Sequence, residues 1–232
     1  MTYIIEGIKE AISLLSSLDA EIYGIVGLSI FVSFVSTMIA SCIGLGLGIV
    51  MGLYDFVTKR FWVRFTYAFM ASPPVVVGLF VALIISRRGP LGSLELMFTP
   101  VAMIAAQTLL VTPIITGLVY NATQKYGHQI YEICTVLGGS KKDCFFLVIR
   151  ELRSTFAVAI TTGFGRAISE VGAVMIVGGN IKDHTRVMTT FIAMNNSMGN
   201  YSKSIAMGLV LIIIAIITNG LIHRLSEGKN ES

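Results

Sequence analysis

Gly163-Phe164-Gly165-Arg166-Ala167-Ile168-Ser169-Glu170-Val171-Gly172-Ala173-Val174-Met175-Ile176-Val177-Gly178-Gly179-Asn180-Ile181 is the stretch that decides how this chain folds. It reads as part of a membrane-spanning helix, yet Arg166 and Glu170 stand four residues apart inside it. Ionisable groups in hydrocarbon are costly, so they normally face a protein interior or a watery path. Such a helix belongs to a bundle with something polar inside, and transport is the function it points to first.

The rest of the composition agrees. The 232 residues are 54% hydrophobic and only 13% charged, with a mean hydropathy of +0.80. A soluble domain could not cover that much apolar surface, whereas a multispan membrane protein need not. The expected fold class is all-α, a polytopic transmembrane helix bundle forming a single domain over 1–232. A net charge of +4 could suggest a nucleic-acid partner. In a membrane protein it reads instead as Lys and Arg gathered in cytoplasmic loops, and no nucleic acid is expected. Cys42, Cys134 and Cys144 form no CxxC and lack histidines at ligand spacing, so neither a zinc site nor a disulfide framework is expected. Residues 1–20 carry Glu6, Lys9, Glu10 and Asp19 among Ile4, Ile5, Ile8, Ile12 and Leu15. That spacing predicts an amphipathic helix on the membrane surface rather than a signal peptide.

About five segments are long and apolar enough to cross a bilayer, at about 20 residues each: 22–53, 65–85, 97–120, 155–177 and 204–222. Ten Lys and Arg fall in 54–64, 121–153 and 223–232, against six on the opposite side. The positive-inside rule then puts the N-terminus outside and the C-terminus in the cytoplasm of a multi-pass cell-membrane protein. Ser36, Ala40, Gly44, Gly48 and Gly52 recur every four residues and stack on one face of the first span. That stripe lets another backbone approach closely, either in static packing, the favoured reading, or in a helix that slides. Gly44-Leu45-Gly46-Leu47-Gly48 is not a nucleotide loop, because no Lys-Ser or Lys-Thr follows. Ser72-Pro73-Pro74 should break the second span, and Pro100 and Pro113 should act similarly in the third.

The longest inner connection, 121–153, predicts a helix over 131–137 that stops at Gly138 and Gly139. Lys141 and Lys142 follow, then a second amphipathic helix over 143–152. This helix–glycine–helix element would make a docking knob. Its Glu132-Ile133-Cys134, Gly138 and Val148-Ile149 resemble the cytoplasmic loop of ATP-binding-cassette importer permeases, although Ile133 and Cys134 replace two alanines and Arg150-Glu151 replaces Leu-Pro. The segment Gly165-Arg166-Ala167-Ile168-Ser169-Glu170-Val171-Gly172-Ala173, with Gly179-Asn180-Ile181 and Thr185-Arg186-Val187-Met188-Thr189-Thr190, is similar to the oxyanion branch of those permeases. Its variants resemble the tungstate-type members most closely.

The resemblance implies a type I (MetI-like) permease that works as a homodimer in membrane lipid. Its partners would be a cytoplasmic ABC ATPase dimer and an extracytoplasmic oxyanion-binding protein. Tungstate is the implied substrate, with molybdate or sulfate as alternatives and a secondary anion transporter as a more remote one. The chain lacks GxxxxGK[ST], so ATP and Mg would sit on the partner ATPase, and no catalysis or cofactor is expected here. Glu132, Ile133, Cys134, Leu137, Gly138 and Ser140 are the expected ATPase-coupling residues, with Leu137 as an apolar knob and Gly138 as the turn. Arg166, Glu170, Asn180, Thr185, Arg186 and Thr189 are the candidates for the translocation pathway or gate. One turn apart, Arg166 and Glu170 have the geometry of a helical ion pair. They serve either as a structural latch, the favoured reading, or as a meeting point for the anion. Lys182, His184 and Arg186 cluster in a polar outer segment that could guide an oxyanion. Residues 189–198 are a candidate gate helix.

Overall fold

A computed structural model describes residues 20–227. The amphipathic helix expected over 1–20 therefore lies outside the described residues. Among those described, every regular element is helical: α1 (Ala20–Leu53), α2 (Lys59–Met70), α3 (Pro74–Ile85), α4 (Pro100–Ala122), α5 (His128–Val136), α6 (Lys141–Glu151), α7 (Arg153–Ile168), α8 (Gly172–Gly178), α9 (Met188–Ser197) and α10 (Tyr201–Glu227). Three runs are long and apolar enough to cross a membrane, and two bent pairs, α2 with α3 and α7 with α8, bring the total to as many as five.

The stripe of small residues joins α1 to α4. A Cβ on Gly44 would lie 2.9 Å from Ile115 Cγ2, one on Gly48 2.7 Å from Val119 Cβ, and one on Gly52 2.6 Å from Thr123 Cβ. Each pair keeps the 71-residue offset of the Ser36–Gln107 hydrogen bond, so the two helices run in the same direction with their i,i+4 rows interlocked. In hydrocarbon, where the hydrophobic effect offers no drive between helices, such close backbone approach supplies the dispersion energy of association. Side chains of α4 thus fill the space that the glycines leave.

The second span breaks at Ser72-Pro73, as the prolines predict, and its halves meet at 103°. Pro74 starts α3, where its missing N–H is no loss. Pro100 likewise starts α4, capped by Thr99, but Pro113 does not break it: the helix runs on through that residue. One lost hydrogen bond is tolerated where neighbouring helices hold the segment. Nor does this span end near residue 120. It continues through a π-helical turn, Thr123–Gly127, into α5 as one run to Val136.

The expected single helix over 155–177 is also corrected. Residues Ser169 to Val171 separate α7 from α8, and the two halves meet at 57°. A close approach to α3 enforces the break. A Cβ on Gly172 would lie 2.6 Å from Val75 Cγ2, and one on Gly78 2.6 Å from the Ala173 Cα. The two breaks therefore sit side by side. A third correction concerns the thiols: Cys134 and Cys144 are joined as a disulfide, with Cα atoms 5.4 Å apart. The glycine turn folds the chain back and brings together two cysteines whose sequence spacing signals no site. Valine at position 48 would collide with Val119 and the Thr116 carbonyl oxygen. Gly48→Val should therefore destabilise the detergent-solubilised chain by about 1–3 kcal/mol in thermal or chemical unfolding. Gly46→Ala should cause no such loss, since a Cβ at Gly46 meets nothing within 4 Å.

Candidate coupling hairpin and translocation wall

Two helices and a left-handed turn build the hairpin of α5 and α6. Gly138 holds φ at +83°, a conformation that glycine adopts without steric cost. The Leu137 N–H donates to the Ile133 carbonyl and that of Gly139 to the Cys134 carbonyl, closing the end of α5. Ser140 and Asp143 then start α6 with a reciprocal capping box: the Asp143 N–H donates to Ser140 Oγ at 3.3 Å, and the Ser140 N–H to Asp143 Oδ2 at 3.0 Å. The Ser140 hydroxyl also donates to Asp143 Oδ2 at 2.6 Å, and chiefly this bond, with that from the Ser140 N–H, holds the Asp143 carboxyl below the usual carboxylate range.

The hairpin tip is apolar and open. Val136 is 87% exposed and Leu137 81%, with Ile133 and Glu132 also on the surface. Of the six expected coupling residues, Cys134 does not belong to this face. It is buried against Cys144, and a Cβ on Gly139 would lie 2.5 Å from its sulfur. Val136, the most exposed apolar residue of the tip, was missing from the sequence-based set, although its place beside Leu137 at a helix end was the available signal.

The second group surrounds the break between α7 and α8. Arg166 Nη2 lies 3.4 Å from Glu170 Oε2; Glu170 is buried, while 41% of the arginine side chain remains exposed. The other carboxylate oxygen accepts the Ala173 N–H at 3.2 Å, and the Glu170 carbonyl accepts the Thr189 hydroxyl at 2.8 Å. Gln107, which sequence reasoning passed over, accepts from Ser36 Oγ at 2.9 Å and donates to the Ala167 carbonyl at 3.0 Å. It ties α1, α4 and α7 together. An amide in the middle of an apolar helix was the readable sign. The structure thus brings Arg166, Glu170 and Thr189 into one cluster.

Asn180, Thr185 and Arg186 lie elsewhere, in the turn between α8 and α9. Gly179 and Asn180 both take left-handed φ values, +71° and +52°. The Thr185 hydroxyl donates to the Gly178 carbonyl and accepts the Ile181 N–H, so it shapes the turn. Arg186 Nη1 and Lys182 Nζ lie 3.3 Å and 2.7 Å from the carboxylate of Glu21, at the start of α1. Glu21 raises the Lys182 ammonium above its ordinary range, chiefly by accepting its hydrogen bond. Glu21 thus offsets part of the charge of this cationic cluster and anchors the turn to α1. Residues 189–198, the candidate gate helix, form most of α9. Among the described residues no group of three or more His, Cys, Asp or Glu side chains is placed to hold a metal ion.

Residues 44–230 match the family described as "Binding-protein-dependent transport system inner membrane component". The chain is 50% identical over 227 residues to the "Tungstate uptake system permease protein TupB" of Peptoclostridium acidaminophilum, covering 98% of this chain and all of that one. It is 35% identical to the protein of the same description from Campylobacter jejuni, over 98% and 95% of the two chains. The fold matches a chain of a bacterial ABC transporter involved in alginate import with a TM-score of 0.76 at 14% identity, over 95% and 83% of the two chains. The chain belongs to the binding-protein-dependent transport system inner membrane component family. It is a permease of the ABC type, and its helices are those of a multi-pass inner-membrane subunit.

Two measurements check these sites. Arg166→Ala leaves Glu170 buried without its counter-charge and should cost about 1–3 kcal/mol in unfolding. Adding Glu170→Gln, which still accepts from Ala173, should recover most of that; strictly additive losses would rule the latch out. For the hairpin, a carboxyl whose pKa is lower in the folded state stabilises the fold above its unfolded value and loses that contribution as pH falls through the folded one. Hydrogen-exchange protection of the first turn of α6 should hold from neutral pH to about pH 4 and decline below it. Asp143→Ala should lower the protection at neutral pH and flatten its pH dependence.

Proposed function

We propose that this chain is the membrane-spanning subunit of an ATP-driven tungstate importer. The observation that carries the substrate is the full-length identity of 50% to a protein described as a tungstate permease. On this reading two copies form the pathway, two cytoplasmic ATPases bind ATP and Mg, and an external protein delivers the oxyanion. The N-terminus lies outside and the C-terminus in the cytoplasm, in keeping with the distribution of Lys and Arg.

The exposed tip formed by Glu132, Ile133, Val136 and Leu137 docks into the ATPase, while Gly138 and Ser140 set its shape. Because α5 continues α4, a push on the hairpin travels along one rod of 37 residues, about 55 Å long at helical rise. The π turn at Thr123–Gly127 is the natural place for that rod to flex. At its far end α4 holds Gln107 and, through it, the carbonyl of Ala167. ATP-driven closure would thereby move the wall that Arg166, Glu170 and Thr189 fasten together, alternating the pathway between inward- and outward-facing states. Arg166 and Glu170 act mainly as the latch of that wall. Asn180, Thr185 and Arg186 hold the outer turn that faces the binding protein.

The test is reconstitution of the chain with its ATPase and binding protein in proteoliposomes. Tungstate uptake should require ATP, and Leu137→Glu, which places a charge on the apolar tip, should weaken ATPase association about 30-fold or more. Uptake driven by a proton gradient without ATP would refute the importer. Equal or faster uptake of sulfate or molybdate would refute tungstate as the substrate.

A further inference from the structure

The helix α2 has a role that the transport reading leaves open. Of its twelve residues only Thr66 is buried, on the side that meets Gly117 of α4 beside Met70 and Tyr67. Helical spacing puts Arg60 and Arg64 on one flank of this contact and Trp62, Phe65 and Phe69 on the other. Lys59 is paired with Asp55 at 2.8 Å, whereas Arg60 and Arg64 have no ion-pair partner among the described residues. A cavity of about 370 Å³ opens on the basic flank, where Lys59, Arg60 and Arg64, together with Asp55, meet Tyr120 of α4 and Gln124 of the π turn. An almost wholly apolar crevice of about 570 Å³ opens on the aromatic flank, lined by Leu47, Trp62, Phe65, Phe69, Leu109 and Thr112 among others.

These two cavities lie at different depths. Along this helix the crevice is lined from Thr108 to Thr116 and the cationic cavity at Tyr120 and Gln124, so their nearest edges lie about 6 Å and their centres about 15 Å apart in helical rise, comparable to the half-thickness of a bilayer's hydrocarbon core. The cationic cavity is at the end of α4 that continues into the inner hairpin, and the apolar crevice is deeper. The sharp bend at Ser72-Pro73 lays α2 aslant between them as an oblique collar. The chain's single tryptophan stands on this collar, in keeping with the preference of that side chain for the membrane interface.

We propose that α2 binds an anionic phospholipid of the cytoplasmic leaflet, with its phosphate on Arg60 and Arg64 and an acyl chain in the crevice beneath Trp62. Charge complementarity selects the headgroup, since basic pockets beside inner membrane surfaces attract anionic lipids. The separation of the two cavities selects an amphiphile, because one molecule must offer an anion and, about 15 Å deeper, a hydrocarbon chain. A soluble anion would fill the first cavity alone, and an apolar ligand the second.

Trp62 reports on the site directly. The full-length chain is reconstituted into phosphatidylcholine vesicles in which a fixed fraction of lipid is replaced by phosphatidylglycerol or phosphatidylcholine with brominated acyl chains. Brominated phosphatidylglycerol should quench Trp62 about twofold or more over its phosphatidylcholine counterpart. Arg60→Gln with Arg64→Gln should equalise the two while leaving the phosphatidylcholine quenching intact, which also shows that the chain is folded. Arg60→Lys with Arg64→Lys should keep the preference. Equal quenching in the unmodified chain would overturn the proposal, as would a preference that survives the double glutamine variant. Protection of Trp62 from both lipids would overturn it as well, and would mark a second copy of the chain over the crevice.

Discussion

Hydrocarbon offers no hydrogen bonds, and the architecture follows from how two interrupted spans satisfy their own polar groups. A helix that stops inside a membrane frees carbonyls and N–H groups that must find partners within the protein. At the break between α7 and α8 the partners are specific. Gln107 takes the Ala167 carbonyl, Thr189 takes the Glu170 carbonyl, and the Glu170 side chain takes the Ala173 N–H. Arg166 then neutralises the carboxylate that this arrangement buries. The second break, at Ser72-Pro73, lies alongside, because Gly78 and Gly172 let α3 and α8 touch. One constraint thus explains the ion pair, Gln107 and the glycines.

Packing of α1 on α4 is dense and regular, with the small stripe of one helix filled by Ile115, Val119 and Thr123 of the other. That pair forms a close-packed backbone to which the hairpin of α5 and α6 is joined by a π turn. The broken pairs also pack closely, at Gly78, Gly163 and Gly172, and α7 with α8 adds side-chain hydrogen bonds to Gln107 and Thr189. A continuous helical run joins the hairpin to Gln107 and, through it, to the Ala167 carbonyl of α7.

Much of this was legible in the chain. Paired prolines, a four-residue stripe of small residues and a helix–glycine–helix element each carry a local signature, set by backbone geometry that does not depend on distant partners. The break at Ser169 to Val171 carries none. No proline marks it, and Arg166 and Glu170 suit a continuous helix equally well, since an ion pair at that spacing survives the bend. Only the close approach of Val75 to Gly172 forces it. Pro113 errs in the other direction: the residue predicts a break that the surrounding helices suppress. The cysteine pair was invisible for a related reason, because Cys134 and Cys144 meet only after Gly138 has turned the chain.

By itself, therefore, the sequence determined that the chain is a helical membrane bundle, where its spans fall, which end of the inner hairpin turns, and which family its motifs resemble. These follow from hydropathy and spacing, which are properties of neighbouring residues. Only the tertiary structure decided that Glu170 caps a broken helix, that Lys182 and Arg186 are anchored by Glu21, and that Cys134 is buried against Cys144. Each of these depends on what a residue meets from another helix, and that is fixed by packing rather than by chain order.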